Sequence, residues 1–127
     1  MATEQLGRRG LDDGLRIEHP PFHIPAVVGV YPLYLNAPTD GSITRIYFQC
    51  DAATSVAFKV TLDTTDITWV TGASVTNTAT TTAGTNTATA TNTFSAGDAI
   101  KVEITSVSGS PTLLTGQLVI EIPEVDA

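Results

Sequence analysis

The residues of this chain with metal-binding or acid–base chemistry are few, and the only two histidines stand four positions apart. His19 and His23 flank Pro20-Pro21 and are followed by Pro25. Prolines at this density prevent a helix, so the two imidazoles lack the i, i+4 facing that helical metal sites and catalytic pairs use. We therefore expect both histidines to pack or to face solvent.

The other reactive groups also favour structural roles. Asp63 and Asp66 are candidate calcium ligands, but their position in a short turn is typical of turn chemistry, and no further oxygen ligands follow at EF-hand-like spacing. Cys50 is the only cysteine, so no internal disulfide forms, and its place in an alternating apolar run predicts a buried thiol. No glycine-rich phosphate loop, serine nucleophile elbow or Cys–His pair occurs. The chain is predicted to be no enzyme and to need no cofactor or metal.

Aromatic residues that could stack against sugar rings are the one sign in the sequence of a sugar-binding function. The candidates are Tyr31, Tyr34, Tyr47 and Trp69. Sugar-binding modules place such rings against sugars, but these four also suit the core or its rim. Trp69 in particular is expected to be a core or rim anchor.

Charge and hydropathy exclude two classes of partner. The 127 residues carry a net charge of −7 with only six Lys and Arg, which argues against nucleic acid and against an anionic membrane surface. No apolar run approaches the ~20 residues of a membrane span, and the first residues lack the apolar core of a secretory signal. The sequence predicts a protein made and kept in the cytosol, or released by lysis.

The residues 94–107 show most plainly the kind of element that must carry these groups. Ile100, Val102 and Ile104 alternate with polar residues, which is the period of a half-buried strand, and Gly97 precedes them in a turn. Similar alternation recurs along the chain at turn-separated intervals, and no run has helical periodicity. The Thr-rich residues 71–93 are interpreted as two strands around Ala83-Gly84, with a thin apolar face of Val75, Ala79, Ala88 and Ala90.

The predicted fold is all-β: an antiparallel, jelly-roll-like β-sandwich of about eight strands. Its predicted core consists of alternating positions from several strands: Ile46, Phe48, Val56, Phe58, Val60, Ile100, Val102, Ile104, Leu118 and Ile120.

Residues 1–25 are predicted to form an extended N-terminal arm, outside a sandwich domain of residues 26–127. Glycines, mixed charges and prolines favour extended backbone, while the apolar side chains suggest an arm that becomes ordered against a partner. The residues predicted to bind that partner are apolar anchors and arginines that pair with acidic groups: Leu6, Arg8, Arg9, Leu11, Leu15, Arg16 and Phe22.

From about Tyr31 to Ile122 the order of features resembles the small all-β domain of tailed-bacteriophage virion proteins. The matching pieces are YPLYLNAPTDGSITRIYF, VAFKVTLD followed by DIT, a Thr/Ala-rich middle, FSAGDAIKVEITSV and LLTGQLVIEI. Ala96-Gly97-Asp98, which leads into an alternating strand, is the best of these motifs. Residues 1–25 match no motif of this kind.

The resemblance implies a virion structural protein that is not an enzyme. Domains of this kind occur in head decoration or cement proteins, head fibres and tail fibres, often as trimers. A chain of one domain and an arm, without a fibre shaft, favours a capsid decoration protein that binds the major capsid protein or another virion protein. The alternative is a tail-fibre or head-fibre adhesin that binds host-surface glycan.

Overall fold

The computed structural model describes residues 15–70 and 75–123, and its strands follow the alternation of apolar residues. The strands are β1 Leu15–Glu18, β2 Pro21–Pro25, β3 Gly29–Tyr34, β4 Gly41–Cys50, β5 Thr54–Leu62, β6 Thr65–Asp66, β7 Thr68–Trp69, β8 Asn77–Ala79, β9 Gly84–Ala90, β10 Thr93–Phe94, β11 Ile100–Gly109 and β12 Leu113–Pro123. All strand pairs among the described residues are antiparallel.

The strands form two sheets that pack face to face. The first sheet has the order β1-β12-β4-β9-β7, with β2 also on β12 and β10 on β4. The second sheet has the order β3-β11-β5-β6, with β8 also on β5. One buried apolar cluster receives side chains from both sheets, and it includes all ten residues predicted for the core. The predicted β-sandwich is therefore confirmed.

The pairing of the long strands is that of a jelly roll. β1 and β2 follow one another along β12 and act as one interrupted edge strand, and β6, β7 and β10 have two residues each. If β1 and β2 count as one strand and the three two-residue strands are left out, eight strands remain. They pair first with last (β1/β2 with β12), second with seventh (β3 with β11), third with sixth (β4 with β9) and fourth with fifth (β5 with β8). This nested pairing folds one long hairpin over into two sheets of four strands.

The predicted arm of residues 1–25 is wrong for its second half. Phe22 and Ile24 are buried in the core, and Pro20 accepts a backbone hydrogen bond from Leu118 at 3.0 Å. Proline is tolerated here because the strand lies at a sheet edge, where a missing N–H costs no hydrogen bond on the open side. The sandwich therefore includes residues 15–25, and residues 1–14 lie outside the described residues.

A glycine in the last strand allows this edge strand to pack closely. A Cβ at Gly116 would meet the Phe22 ring and would lie 2.7 Å from the Tyr47 carbonyl oxygen. Only a residue without a side chain leaves room for Phe22 between the sheets. Gly116 therefore allows the Phe22 side chain of β2 to pack into the core, in addition to the backbone pairing of β2 with β12.

The Thr-rich residues form strands at the predicted place, but their buried face is more polar than expected. Strands β8 and β9 flank a turn at residues 80–83. Of the predicted apolar face, Ala79 is buried and Val75 and Ala88 are half-buried, but the prediction is wrong for Ala90, which is exposed. Asn77 and Asn86 are also buried, and the Asn86 amide donates a hydrogen bond of 2.7 Å to Asn77 Oδ1. Pairing the two amides offsets part of the cost of removing them from water.

Candidate functional site

The outward faces of the two sheets differ in chemistry. On the second sheet, the Lys59 ammonium lies 3.3 Å from Asp66 Oδ2 and 3.7 Å from Glu103 Oε1, so charged groups pair with one another there. On the first sheet, the outward positions carry mainly hydroxyl, amide, imidazole and aromatic groups, together with Arg45 and Glu121. Strand alternation explains this surface, because every second residue of each strand must face away from the core.

Tyr47 lies in the middle of this outer face and is 42% exposed. The register places Gln117 beside it on one neighbouring strand and Thr85 on the other, and Pro21 lies beyond Gln117. Residues at paired positions lie about 5 Å apart and share a face, so these four side chains form one row across four strands. The phenol ring is thus surrounded by groups from separate parts of the chain.

Two further rows run parallel to the Tyr47 row. They consist of His23, Thr115 and Gln49 on one side, and of Val119, Arg45 and Thr87 on the other. Within the first, His23 Nδ1 lies 3.2 Å from Thr115 Oγ1. The Gln49 amide donates a hydrogen bond of 2.6 Å to the Thr81 carbonyl, which holds that side chain in place.

Depressions lie on both sides of Tyr47, which lines each of them. One, of about 260 Å³, is also lined by His23, Gln49 and Gln117. The other, of about 460 Å³, is also lined by Arg45. Tyr47 therefore stands between two shallow sites rather than inside one closed pocket.

The other three aromatic candidates for sugar binding are less accessible. The Trp69 side chain is fully buried, so it is a core anchor and offers no face to a ligand. Tyr34 is half-buried and packs against the core. Tyr31 is also half-buried, and its hydroxyl donates a hydrogen bond of 2.6 Å to the Val27 carbonyl. Among the described Phe, Tyr and Trp residues, Tyr47 is the most exposed.

A second notable surface follows the edge strand β3 of the second sheet. Val27, Val28, Val30 and Leu35, on or beside this strand, are 54–75% exposed. Among the described residues β3 pairs only with β11, so its other edge is open. Exposed aliphatic side chains along an open strand edge are typical of a protein contact surface.

The residues predicted to bind a partner through the arm do not all lie within the described residues. Leu6, Arg8, Arg9 and Leu11 lie outside the described residues. Leu15 begins strand β1, and the Arg16 guanidinium lies 3.1 Å from Glu18 Oε2 on the exposed surface.

Phe22 was predicted to be an anchor for a partner, and this prediction is wrong. Its side chain is 4% exposed and belongs to the core. The alternation of Phe22 and Ile24 with outward Pro21, His23 and Pro25 was the signal in the sequence that indicated a strand.

The acidic turn residues hold the backbone. Asp63 Oδ1 accepts a hydrogen bond of 3.0 Å from the Ala99 amide, and Asp66 pairs with Lys59. Within residues 15–70 and 75–123, no group of three or more His, Cys, Asp or Glu is arranged to hold a metal ion. Cys50 is buried as predicted.

Asp51 is a carboxylate whose pKa is changed by its hydrogen bonds. It accepts hydrogen bonds from the Thr112 hydroxyl and from the Thr112 and Leu113 amides, the latter two at 2.8 and 3.0 Å. These bonds, chiefly the one from the Thr112 hydroxyl, favour the ionised form and lower the pKa of Asp51 from 3.8 to about 2. Asp51 therefore joins the end of β4 to the start of β12.

The Asp51 bonds predict a stability difference that depends on pH. Because the folded-state pKa is lowered, the contribution of Asp51 is complete above about pH 4 and is lost as pH falls towards about 2. Asp51→Asn should lower the urea midpoint at pH 6, and the difference from wild type should shrink between pH 4 and pH 2. A constant difference across this range would contradict the assignment.

Comparison with known proteins finds no matching family model and no matching curated protein. The described residues also contain no helix of sufficient length and apolarity to cross a membrane. Function must therefore be inferred from the two surfaces, the Tyr47 face and the open edge of β3.

Proposed function

We propose that this chain is a structural protein of a tailed-bacteriophage virion, without enzymatic activity, that decorates and stabilises the capsid. Its partner is the major capsid protein or another virion protein, and its location is the virion, after synthesis in the host cytoplasm. The jelly-roll pairing supports this proposal, because viral capsid domains use that architecture, although lectins and cupins share it.

The observation that carries the proposal is the apolar edge of β3. Val27, Val28, Val30 and Leu35 give this edge more exposed aliphatic surface than a solvated strand needs. We assign the edge to contact between copies of the chain in a homotrimer. Several copies at one symmetry axis multiply weak contacts with a repeating lattice through high effective concentration.

Attachment to the particle is assigned to the residues before the first strand. Leu6 and Leu11 supply apolar side chains for the partner surface, and Arg8 and Arg9 supply guanidinium groups for its acidic residues. Phe22 no longer belongs to this set, and Leu15 and Arg16 belong to an edge strand of the sandwich.

Val30→Asp tests the proposed trimer contact. It should convert the trimer to a monomer in light scattering, because a charge on the apolar edge opposes burial of that edge. Val70→Asp is the matched control, since Val70 is 55% exposed but follows the short strand β7 of the first sheet. A wild-type monomer, or a trimer unaffected by Val30→Asp, would contradict the assigned interface.

Deletion of residues 1–14 tests attachment. The truncated chain keeps every described strand, so its melting temperature should change little, while its occupancy on phage particles should fall sharply. Quantitative mass spectrometry of purified particles measures that occupancy. Equal occupancy of the truncated and full chains would remove the N-terminal residues from the attachment site, and absence of the full chain from particles would contradict the virion function.

The second candidate is a fibre or adhesin module that binds host-surface glycan. The exposed Tyr47 ring between two depressions favours this function, because an open aromatic ring on a sheet face is suited to stacking against sugar. The proposed trimer contact lies on the second sheet and the Tyr47 face on the first, so one virion protein can perform both functions.

A further inference from the structure

We infer that the outer face of the first sheet binds an uncharged oligosaccharide, with Tyr47 stacking on one sugar ring and a neighbouring sugar occupying each flanking depression. This inference deepens the second candidate function and rests on it. It does not depend on the proposed trimer contact at the edge of β3 or on the proposed attachment through the residues before Leu15.

The stacking platform is the first element of this site. Tyr47 is in register with Gln117 and Thr85 on its two neighbouring strands, and 42% of the residue is accessible. One side of a pyranose ring presents C–H groups, which pack on the face of an aromatic ring, while its hydroxyls point outward to polar neighbours. A ring on a rigid sheet loses little conformational freedom on binding, so more of the contact energy appears as affinity.

The polar rows supply partners for the hydroxyl groups of the sugar. His23, Gln49 and Gln117 line the smaller depression, and each has a planar group that donates or accepts hydrogen bonds. Arg45, Thr87 and Glu121 line the larger one and offer donors and acceptors together. Hydroxyl groups need both roles at once, which this mixture provides on both sides of Tyr47.

The size of the face indicates an oligosaccharide rather than a single sugar. The Tyr47 row crosses four strands, and adjacent strands lie about 5 Å apart, so the face is on the order of 15 Å wide. The two depressions meet only at Tyr47 among the residues that line them. A ligand that fills both must therefore pass over the tyrosine ring.

The charge of the protein favours an uncharged sugar. The chain has a net charge of −7, which disfavours acidic glycans over long range. On the face itself, Arg45 and Glu121 have opposite charges and line the same depression, so neither sign dominates. Neutral hexose units satisfy the hydrogen-bonding groups without this electrostatic cost.

The test uses the full chain and an immobilised panel of neutral gluco-, galacto- and manno-oligosaccharides, with titration calorimetry on each one that binds. At least one should bind, and Tyr47→Ala should weaken its binding about tenfold or more, because the stacking contact is lost. Tyr47→Phe keeps the ring and should change affinity by less than about threefold. Thr61→Ala, on the outward face of the second sheet, is the matched control and should leave affinity unchanged.

The outcomes separate this site from the functions on which it depends. Sugar binding that survives Tyr47→Ala would reject the Tyr47 site while keeping a sugar-binding function, and no binding to any panel member would reject both. A change of oligomeric state caused by Tyr47→Ala, without loss of sugar binding, would identify the face as a contact between copies and overturn the inference. Val30→Asp, on the second sheet, should leave the sugar affinity of each chain unchanged, so the sugar site and the trimer contact are tested separately.

Discussion

Deletion of residues 1–25 is expected to abolish cooperative folding, because it removes an edge strand and part of the core. Phe22 and Ile24 are both buried, and truncation of such side chains costs about 3–5 and about 2–5 kcal/mol respectively. The deletion also exposes the inner face of β12 at Leu114 and Leu118 and removes the backbone hydrogen bond from Leu118 to Pro20. The sum approaches the whole stability of a typical domain, about 5–15 kcal/mol.

Circular dichroism and thermal unfolding measure this effect, with deletion of residues 1–14 as the control. The shorter deletion leaves β1 and β2 in place, so it should melt cooperatively near the temperature of the full chain. If the chain that begins at Ala26 also melts cooperatively at that temperature, residues 15–25 do not contribute to the fold as the structure indicates.

Phe58→Ala is expected to lower the free energy of unfolding by about 3–5 kcal/mol, the cost of truncating a fully buried aromatic residue. Phe58 lies on the central strand β5 of the second sheet, opposite Ile104 and Asn77. Its ring meets Phe48 of the first sheet edge to face, with centroids 5.3 Å apart and an interplanar angle of 76°. The substitution therefore removes a direct contact between the sheets and leaves a cavity between them.

Urea unfolding followed by tryptophan fluorescence measures this loss, because the single Trp69 is buried in the same core. Tyr47→Ala is the control: its ring faces outward, so the expected cost is about 1 kcal/mol or less. Equal losses for the two variants would show that Phe58 is not a core contact between the sheets.

The sequence alone determined the long strands and the face of each that is buried. In β5 and β11, Val56, Phe58, Val60, Ile100 and Val102 alternate with polar residues or with the small Ala57, and all five are buried as predicted. A strand has a period of two residues, so local order is sufficient to assign each side chain to a face. The turn at Gly97 was also predicted from the sequence, and the structure gives this glycine a φ of 95°, which other residues rarely adopt.

The edge strand β2 was not predicted from the sequence. Pro21 and Pro25 led to the prediction of an arm, although Phe22 and Ile24 already alternate with them. A proline is incompatible with a central strand but compatible with an edge strand, and sequence does not say which strand lies at an edge. The pairing with β12, some ninety residues away, decided the matter.

Only the tertiary structure brought the candidate binding face together. Tyr47, Gln117, His23 and Thr85 lie on four different strands, and their proximity depends on the strand order and on the register of each pair. A shift of one residue in any pair would send its partners to the opposite face, so alternation within a strand does not specify these neighbours. Burial of Trp69 and exposure of Tyr47 were decided in the same way, because each depends on which sheet covers the ring rather than on its own sequence neighbours.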